Sequence, residues 1–401
     1  MEVSVLFLIA GIIILIGFLG SLSFEKTRVP DVLLLLGIGV LLGPVFRLVE
    51  PSILTFFAEY FGLFALVIIL FEGGMDIDIN RLIKEFGTAA ILVFISFVLS
   101  TVSIAAYFHF VAGWDLPRSL LLGTILGCTS AAIVIPIINM MSLKDEVKTL
   151  LSIESVLSDV LSVVFTLLLI EFIKLEKIGI NAPFHAIASS FSIAIIVGVA
   201  SGLFWLKVLD LFKGRKYSYM TTLSAVLIIF ALVDFLGGSG PIAILLFGII
   251  LGNSHDLARL LKLKVNVFID DTIKSFHGEM TFFIRTFFFV YMGAMLSFNA
   301  ANSKILISGA ALILIIIVVR YISVQITGMI FKEKKHDRLI MLSMLPRGLA
   351  SAVLATLPVS ANIKGCEDFM YYTFFVIIVT NVLMTAGVFI VERQNPLKSG
   401  P

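Results

Sequence analysis

Thirteen stretches of this chain are long and apolar enough to enter a lipid bilayer, and that pattern constrains the fold more than any other feature. A spanning helix needs about 20 mostly apolar residues. The stretches fall at about 3–22, 31–48, 54–73, 87–112, 117–140, 149–173, 185–211, 219–236, 241–253, 277–297, 304–331, 337–358 and 367–391. Of the 401 residues 59% are hydrophobic and 14% charged, against roughly 25% charged in a soluble domain. An all-α polytopic membrane protein is therefore expected, and a soluble globular fold is excluded. The first stretch follows Met1-Glu2 without a basic flank, so it reads as a retained helix and not a cleaved leader.

Basic residues test the count independently. Numbering the connections alternately places twenty Lys and Arg on one side and six on the other, with Arg285, Arg320 and Arg347 left inside spans. The positive-inside rule then puts the N-terminus outside and the C-terminus in the cytoplasm of a multi-pass cell-membrane protein. The longest connection, Asn253 to Phe276, has helical apolar spacing with Lys and Arg opposite, the pattern of an amphipathic helix lying on the membrane surface. The tail after Glu392 is short, so no soluble regulatory domain is expected. Two cysteines, Cys128 and Cys366, and five scattered histidines suggest neither a disulfide framework nor a zinc site.

The sixth stretch carries the chemistry. It contains Glu154 and Asp159 at a depth where ionised side chains are costly and mark function by default. Glu154 and Ser158 share one helical stripe, and Ser155 and Asp159 share the next. One stripe is suited to holding a countercharge and the other to facing a cavity. Arg320, deep in the eleventh stretch, requires an acidic partner. Arg285 lies near the start of the tenth, within reach of the interface, and Glu72 closes the third, at a helix end or an aqueous funnel.

The fifth stretch holds Thr129, Ser130 and Pro136, and the twelfth holds Pro346-Arg347-Gly348. Proline removes a helix hydrogen bond, and broken backbone at membrane depth is tolerated where it is buried or lines a cavity. The two interrupted stretches are seven apart, the offset of two six-helix repeats joined by one linking helix. Such a matched pair points to a transport site. The expected division is repeat one about 3–173, linking helix about 185–211 and repeat two about 219–391 of a single transporter domain.

These residues resemble the monovalent cation–proton antiporters, in particular the NhaP-type sodium/proton exchanger branch. The matches are Phe71-Glu72-Gly73-Gly74, Thr129 before a broken stretch, Glu154-Ser155 with Asp159, Gly238-Ser239-Gly240 followed by Gly252-Asn253, Pro346-Arg347-Gly348 and the phenylalanine-rich run ending at Gly293. The resemblance covers essentially the whole chain. It implies two inverted six-helix repeats with discontinuous crossing helices, a homodimer, and a role in ion transport and pH homeostasis. It implies that Asp159 alternately binds proton and cation, and that Thr129, through its carbonyl, and Ser155 join it as cation ligands. Glu154 is then a structural charge held by Arg320. Arg347 stabilises the unwound helix or takes Glu154 instead, and Glu72 acts through water at the cytoplasmic entrance. Two departures stand out. Ser158-Asp159 replaces the usual Asn-Asp, and Thr129-Ser130 replaces Thr-Asp, so Ser158 and Ser130 are expected as neutral members of the ion-binding shell and one carboxylate of it is missing. Sodium is the first expectation for the cation and potassium the alternative.

Burial disfavours a bare carboxylate, so proton and cation compete for Asp159. Either neutralises it and permits the site to cross the membrane. With one exchanging acid the expected stoichiometry is one proton per cation, electroneutral. No enzyme activity, cofactor or nucleic-acid partner is expected; the partners are the bilayer, monovalent cations and protons. Two remote alternatives are an ion channel using the same oxygens and an intramembrane serine protease built on Gly237-Gly238-Ser239-Gly240. The protease lacks a histidine within a later span to serve as base, since His255, His277 and His336 fall in or beside the connections.

Overall fold

The computed structural model describes residues 3–48, 51–141, 143–175, 181–212, 218–260, 271–296, 303–331 and 335–394. Every regular element among them is helical. In chain order they are α1 (Val3–Thr27), α2 (Asp31–Val40), α3 (Pro51–Asp76), α4 (Ile79–Ala106), α5 (Leu116–Leu126), α6 (Ala131–Met140), α7 (Asp145–Leu175), α8 (Asn181–Leu211), α9 (Ser218–Phe235), α10 (Gly240–Gly252), α11 (Ser254–Leu260), α12 (Asp271–Ala294), α13 (Ser303–Phe331), α14 (Lys335–Ser343), α15 (Leu349–Leu354), α16 (Leu357–Ser360) and α17 (Phe369–Gln394). Single π-helical turns, Leu41–Val45 and Tyr107–Val111, extend α2 and α4.

Seven helical segments among the described residues are long and apolar enough to cross a membrane: Phe7–Phe24, Ile91–Val111, Leu116–Met140, Asp145–Leu175, His185–Leu211, Lys304–Met329 and Phe369–Val391. Shorter apolar helices add to them. The chain is thus a multi-pass membrane protein. The amphipathic helix expected over Asp256–Phe276 has described ends that are helical, in α11 and at the start of α12, and its middle, residues 261–270, lies outside the described residues.

The chain divides into two compact units. The first comprises residues 1–62, 87–166 and 285–401 and contains both discontinuous helices. Here Arg285 Nη2 donates to Asp31 Oδ2 at 2.8 Å, tying the second half of α12 to the first turn of α2. Asp31 is buried, so Arg285 is consumed by a fixed ion pair and does not reach for the interface.

The second unit comprises residues 63–86 and 167–284. Its core packs Phe71, Met75, Ala194, Val226, Ala243 and Phe247. The Phe71-Glu72-Gly73-Gly74 motif is largely architectural here. A Cβ on Gly74 would lie 2.4 Å from the Leu245 carbonyl, and one on Gly248 would lie 2.4 Å from the Phe71 carbonyl, so the two backbones cross in contact. Asn253 closes the same crossing. Its Oδ1 accepts from Ile79 N at 2.8 Å, and its Nδ2 donates to Ile77 O at 2.7 Å and to Ile249 O at 2.8 Å.

The first interruption is not where proline suggested. Pro136 lies inside α6, and the chain is unwound instead at Gly127–Ser130. The reason is the supply of partners. A break exposes helix-end N–H and C=O groups that must be satisfied locally, and groups on α7 and beside α14 meet them at 127–131. The second interruption, Met344–Gly348, does contain its proline, Pro346.

Candidate functional site

The site is the meeting of the two breaks with the middle of α7, all within the first unit. Three successive N–H groups of the first break each find a partner outside their own helix. Thr129 N donates to Ser158 Oγ at 3.1 Å, Ser130 N to the Pro346 carbonyl at 2.9 Å, and Ala131 N to Asp159 Oδ2 at 3.1 Å. The Thr129 and Ser158 hydroxyls also meet at 3.2 Å, and Ser158 Oγ lies 3.4 Å from the Thr129 carbonyl. Ser158 therefore serves the same break as Asp159, although stripe spacing grouped it with Glu154. The unwound chain runs around α7 far enough to touch both neighbouring residues.

The second break is held differently. Arg347 N donates to Thr380 Oγ1 at 3.2 Å, and Asn381 Nδ2 donates to the Arg347 carbonyl at 2.9 Å and to Ile377 O at 2.7 Å. The Arg347 side chain turns inward. Its Nε donates to Leu126 O at 3.0 Å, and its Nη1 donates to Leu345 O at 2.9 Å. Leu126 ends α5, whereas Leu345 lies two residues past the end of α14, inside the second break. A helix C-terminus carries about half a negative charge, which the guanidinium meets at the end of α5. Gly348 completes the interlock: a Cβ there would lie 2.2 Å from Ser130 Oγ.

Glu154 takes Arg320 as its ion-pair partner, accepting from Nη1 through Oε1. Arg320 Nε also donates to Met341 O at 2.8 Å, near the end of α14. Glu154, Arg320 and Arg347 are all almost fully buried. Glu154 is paired with Arg320, and Arg347 is hydrogen-bonded to two carbonyls, so Asp159 is the acid of the cluster with no contact ion pair among the described residues. Its Oδ1 is enclosed and has no hydrogen-bond partner among the described residues, while Oδ2 is held by Ala131.

The remaining candidates are less concentrated. Ser155 is buried, but its hydroxyl donates to Ser152 O at 3.0 Å within its own helix. Ser130 is buried against Gly348. Glu72 belongs to the second unit, is half-buried, and accepts from Thr281 Oγ1. Sequence reasoning missed Asp31, Thr281, Thr380, Asn381, Ser351 and Cys128. Thr380-Asn381 carried a readable signal, an adjacent polar pair in the middle of an otherwise apolar span; the others did not stand out.

The arrangement sets one enclosed carboxylate oxygen beside hard neutral oxygens of Thr129 and Ser158, at a place where two helices lose their regularity. Such a group of donors suits a proton or a single monovalent cation. A family model described as "Sodium/hydrogen exchanger, transmembrane" matches residues 9–392. The K(+)/H(+) antiporter NhaP2 of Shewanella oneidensis is 27% identical over 410 residues, covering 100% of this chain and 68% of that protein. The probable Na(+)/H(+) antiporter 2 of Methanocaldococcus jannaschii is 28% identical over 351 residues, covering 83% of this chain and 79% of that protein. Among solved structures, the sodium proton antiporter MjNhaP1 of the same archaeon superposes with a TM-score of 0.78 at 23% identity, covering 96% of this chain and 100% of that one. That likeness speaks for the fold. Taken together, the chain belongs to the transmembrane sodium/hydrogen exchanger family, as a monovalent cation–proton antiporter of the NhaP type.

Proposed function

We propose that the chain exchanges one monovalent cation for one proton at Asp159, electroneutrally and by alternating access. The observation that carries this reading is the enclosed Oδ1 of Asp159, a carboxylate oxygen without a contact ion pair at the meeting of the two breaks. The bare carboxylate is an ionised group in a largely apolar surround and is expensive to move. A proton or a cation neutralises it, and each excludes the other, so the loaded site crosses in either direction with one ligand at a time. That competition couples the two fluxes. Thr129 and Ser155 are read as the other cation contacts, Ser158 and Ser130 as holders of the unwound segment, and Glu72 as a carboxylate of the cytoplasmic approach.

The same reading places the protein in the membrane as thirteen spans. Two inverted repeats, about 3–173 and 219–391, flank a linking helix at about 185–211. The N-terminus lies outside, the C-terminus in the cytoplasm, and two copies pair. The alternation of Lys and Arg along the sequence supports the orientation, and the two interrupted helices support the repeat.

Sodium is the first reading for the cation. Potassium is the second, favoured by the single carboxylate of the shell and consistent with the name carried by the Shewanella relatives. The deciding measurement is dissipation of an imposed pH gradient in proteoliposomes on addition of Na⁺, K⁺ or Li⁺. Exchange is expected with at least one of them and at a rate independent of a clamped membrane potential. No response to any of the three would overturn antiport at this site, and a strong voltage dependence would overturn the 1:1 stoichiometry.

A further inference from the structure

The donor set around Asp159 contains one atom that the reading above leaves unused. Cys128 is the second residue of the unwound segment and is buried. Its sulfur lies 3.3 Å from the hydroxyl of Ser351 on the first turn of α15, and the thiol interacts with the Asp159 carboxylate and with the Ser162 hydroxyl. It thus stands where both discontinuous helices approach α7. Ser351 and Ser162 are themselves fully enclosed, and Ser162 Oγ is committed to the Thr124 carbonyl at 2.7 Å.

A thiol has one hydrogen and sulfur lone pairs that act as weak acceptors. The Cys128–Ser351 hydrogen bond can be donated from either side; when a cation occupies the carboxylate and the thiol hydrogen points to Ser351, the sulfur lone pairs are free on the carboxylate side. A cation seated on Asp159 Oδ1 then meets one full negative charge, neutral oxygens and a neutral polarisable sulfur. We propose that Cys128 is a ligand of the transported cation, that Ser351 is the positioning residue that orients its sulfur, and that this shell selects large, weakly hydrated, polarisable monovalent cations. The inference rests on Asp159 being the exchanging carboxylate.

The selectivity follows from field strength. Small cations hold their water tightly and leave it only for strong, closely packed oxygen donors. A shell with a single carboxylate and weak neutral donors compensates the dehydration of K⁺ or Rb⁺ better than that of Li⁺ or Na⁺. Sulfur adds preference for soft ions over hard ions of the same charge. The sharpest comparison is therefore Tl⁺ against Rb⁺, two ions of nearly equal size that differ in softness.

The test measures half-saturating concentrations for Na⁺, K⁺, Rb⁺ and Tl⁺, as nitrates, in the pH-gradient assay with the full chain in proteoliposomes. For the unmodified protein, Tl⁺ is expected to act at about a tenfold lower concentration than Rb⁺, one decade of affinity, with K⁺ ahead of Na⁺. Cys128→Ser should bring Tl⁺ back to the level of Rb⁺. Ser351→Ala should move the Tl⁺/Rb⁺ ratio the same way, and Ser351→Thr, which keeps the hydroxyl, should restore it; a purely structural role would change rates for all ions together. Equal action of Tl⁺ and Rb⁺ on the unmodified protein overturns the proposal, and that comparison decides even where a variant does not assemble. An unchanged Tl⁺ advantage in Cys128→Ser overturns it too. Exchange that survives Asp159→Asn would instead overturn the assignment of Asp159, a distinguishable result.

Discussion

The two helix breaks of the first unit solve the same problem with different chemistry. Each leaves backbone groups unpaired in an apolar surround, and each finds partners on neighbouring helices. At Met344–Gly348 they are a threonine hydroxyl and an asparagine amide, and the break's own Arg347 side chain bridges the Leu345 carbonyl and the Leu126 carbonyl at the first break. None of these gains or loses a proton near neutral pH. At Gly127–Ser130 one partner is a carboxylate, Asp159, with an oxygen to spare. Under the proposed exchange the first break is tied to a group that gains and loses charge, and the second to groups whose state is permanent. The contrast suggests that a discontinuous helix becomes a transport element through the partner that satisfies its ends, and not through the discontinuity itself.

Five substitutions test that contrast, beginning with the largest expected effect. Asp159→Asn keeps an oxygen to accept the Ala131 N–H but removes the exchangeable charge. Cation-driven proton movement in proteoliposomes should fall to the protein-free background while the protein remains folded, and surviving exchange would falsify the central assignment. Glu154→Gln removes the charge that holds Arg320 and leaves a buried guanidinium uncompensated, which costs about 3–5 kcal/mol. Thermal unfolding in detergent should show that loss, and a variant of full stability would place the pair outside the structural scaffold.

Arg347→Met leaves the Leu126 and Leu345 carbonyls without their shared donor. Buried groups left unpaired cost about 1–3 kcal/mol each, so two of them give about 2–6 kcal/mol, comparable to the loss in Glu154→Gln but falling on both breaks together. The finest comparison sets Asn381→Ala against Ser158→Ala. Asn381→Ala should lower stability by about 1–3 kcal/mol and leave the half-saturating cation concentration within about twofold, a few tenths of a kcal/mol. Ser158→Ala should raise that concentration several-fold for a comparable or smaller loss of stability. If both variants behave alike in both measurements, the two breaks are not functionally distinct.

Much of this arrangement was legible in the sequence for a plain reason. A bilayer admits few charges, so each residue that violates the apolar pattern stands out. Glu154, Asp159, Arg320, Arg347 and the two interrupted stretches were visible on that ground. The position of the first interruption was not. Pro136 breaks one hydrogen bond inside α6 without unwinding it, and the true break at Gly127–Ser130 contains no proline. Its location depends on which N–H groups have a partner across the gap, and Ser158, Asp159 and Pro346 supply those partners from distant positions. The stripe argument similarly separated Ser158 from Asp159, because helical spacing describes one helix and not the unwound chain that wraps it.

The sequence alone determined that the chain crosses membranes repeatedly, that two helices are interrupted in matching places, and that two acids on one helix demand explanation. Those are consequences of solvent, since hydrocarbon penalises every exposed polar group regardless of its neighbours. Only the tertiary structure decided that Arg320 and not Arg347 holds Glu154, that Arg347 is divided between the Leu126 and Leu345 carbonyls, and that one oxygen of Asp159 is left over. Such choices depend on contacts between residues as many as 221 positions apart, and on which donor reaches which acceptor first once the helices have packed.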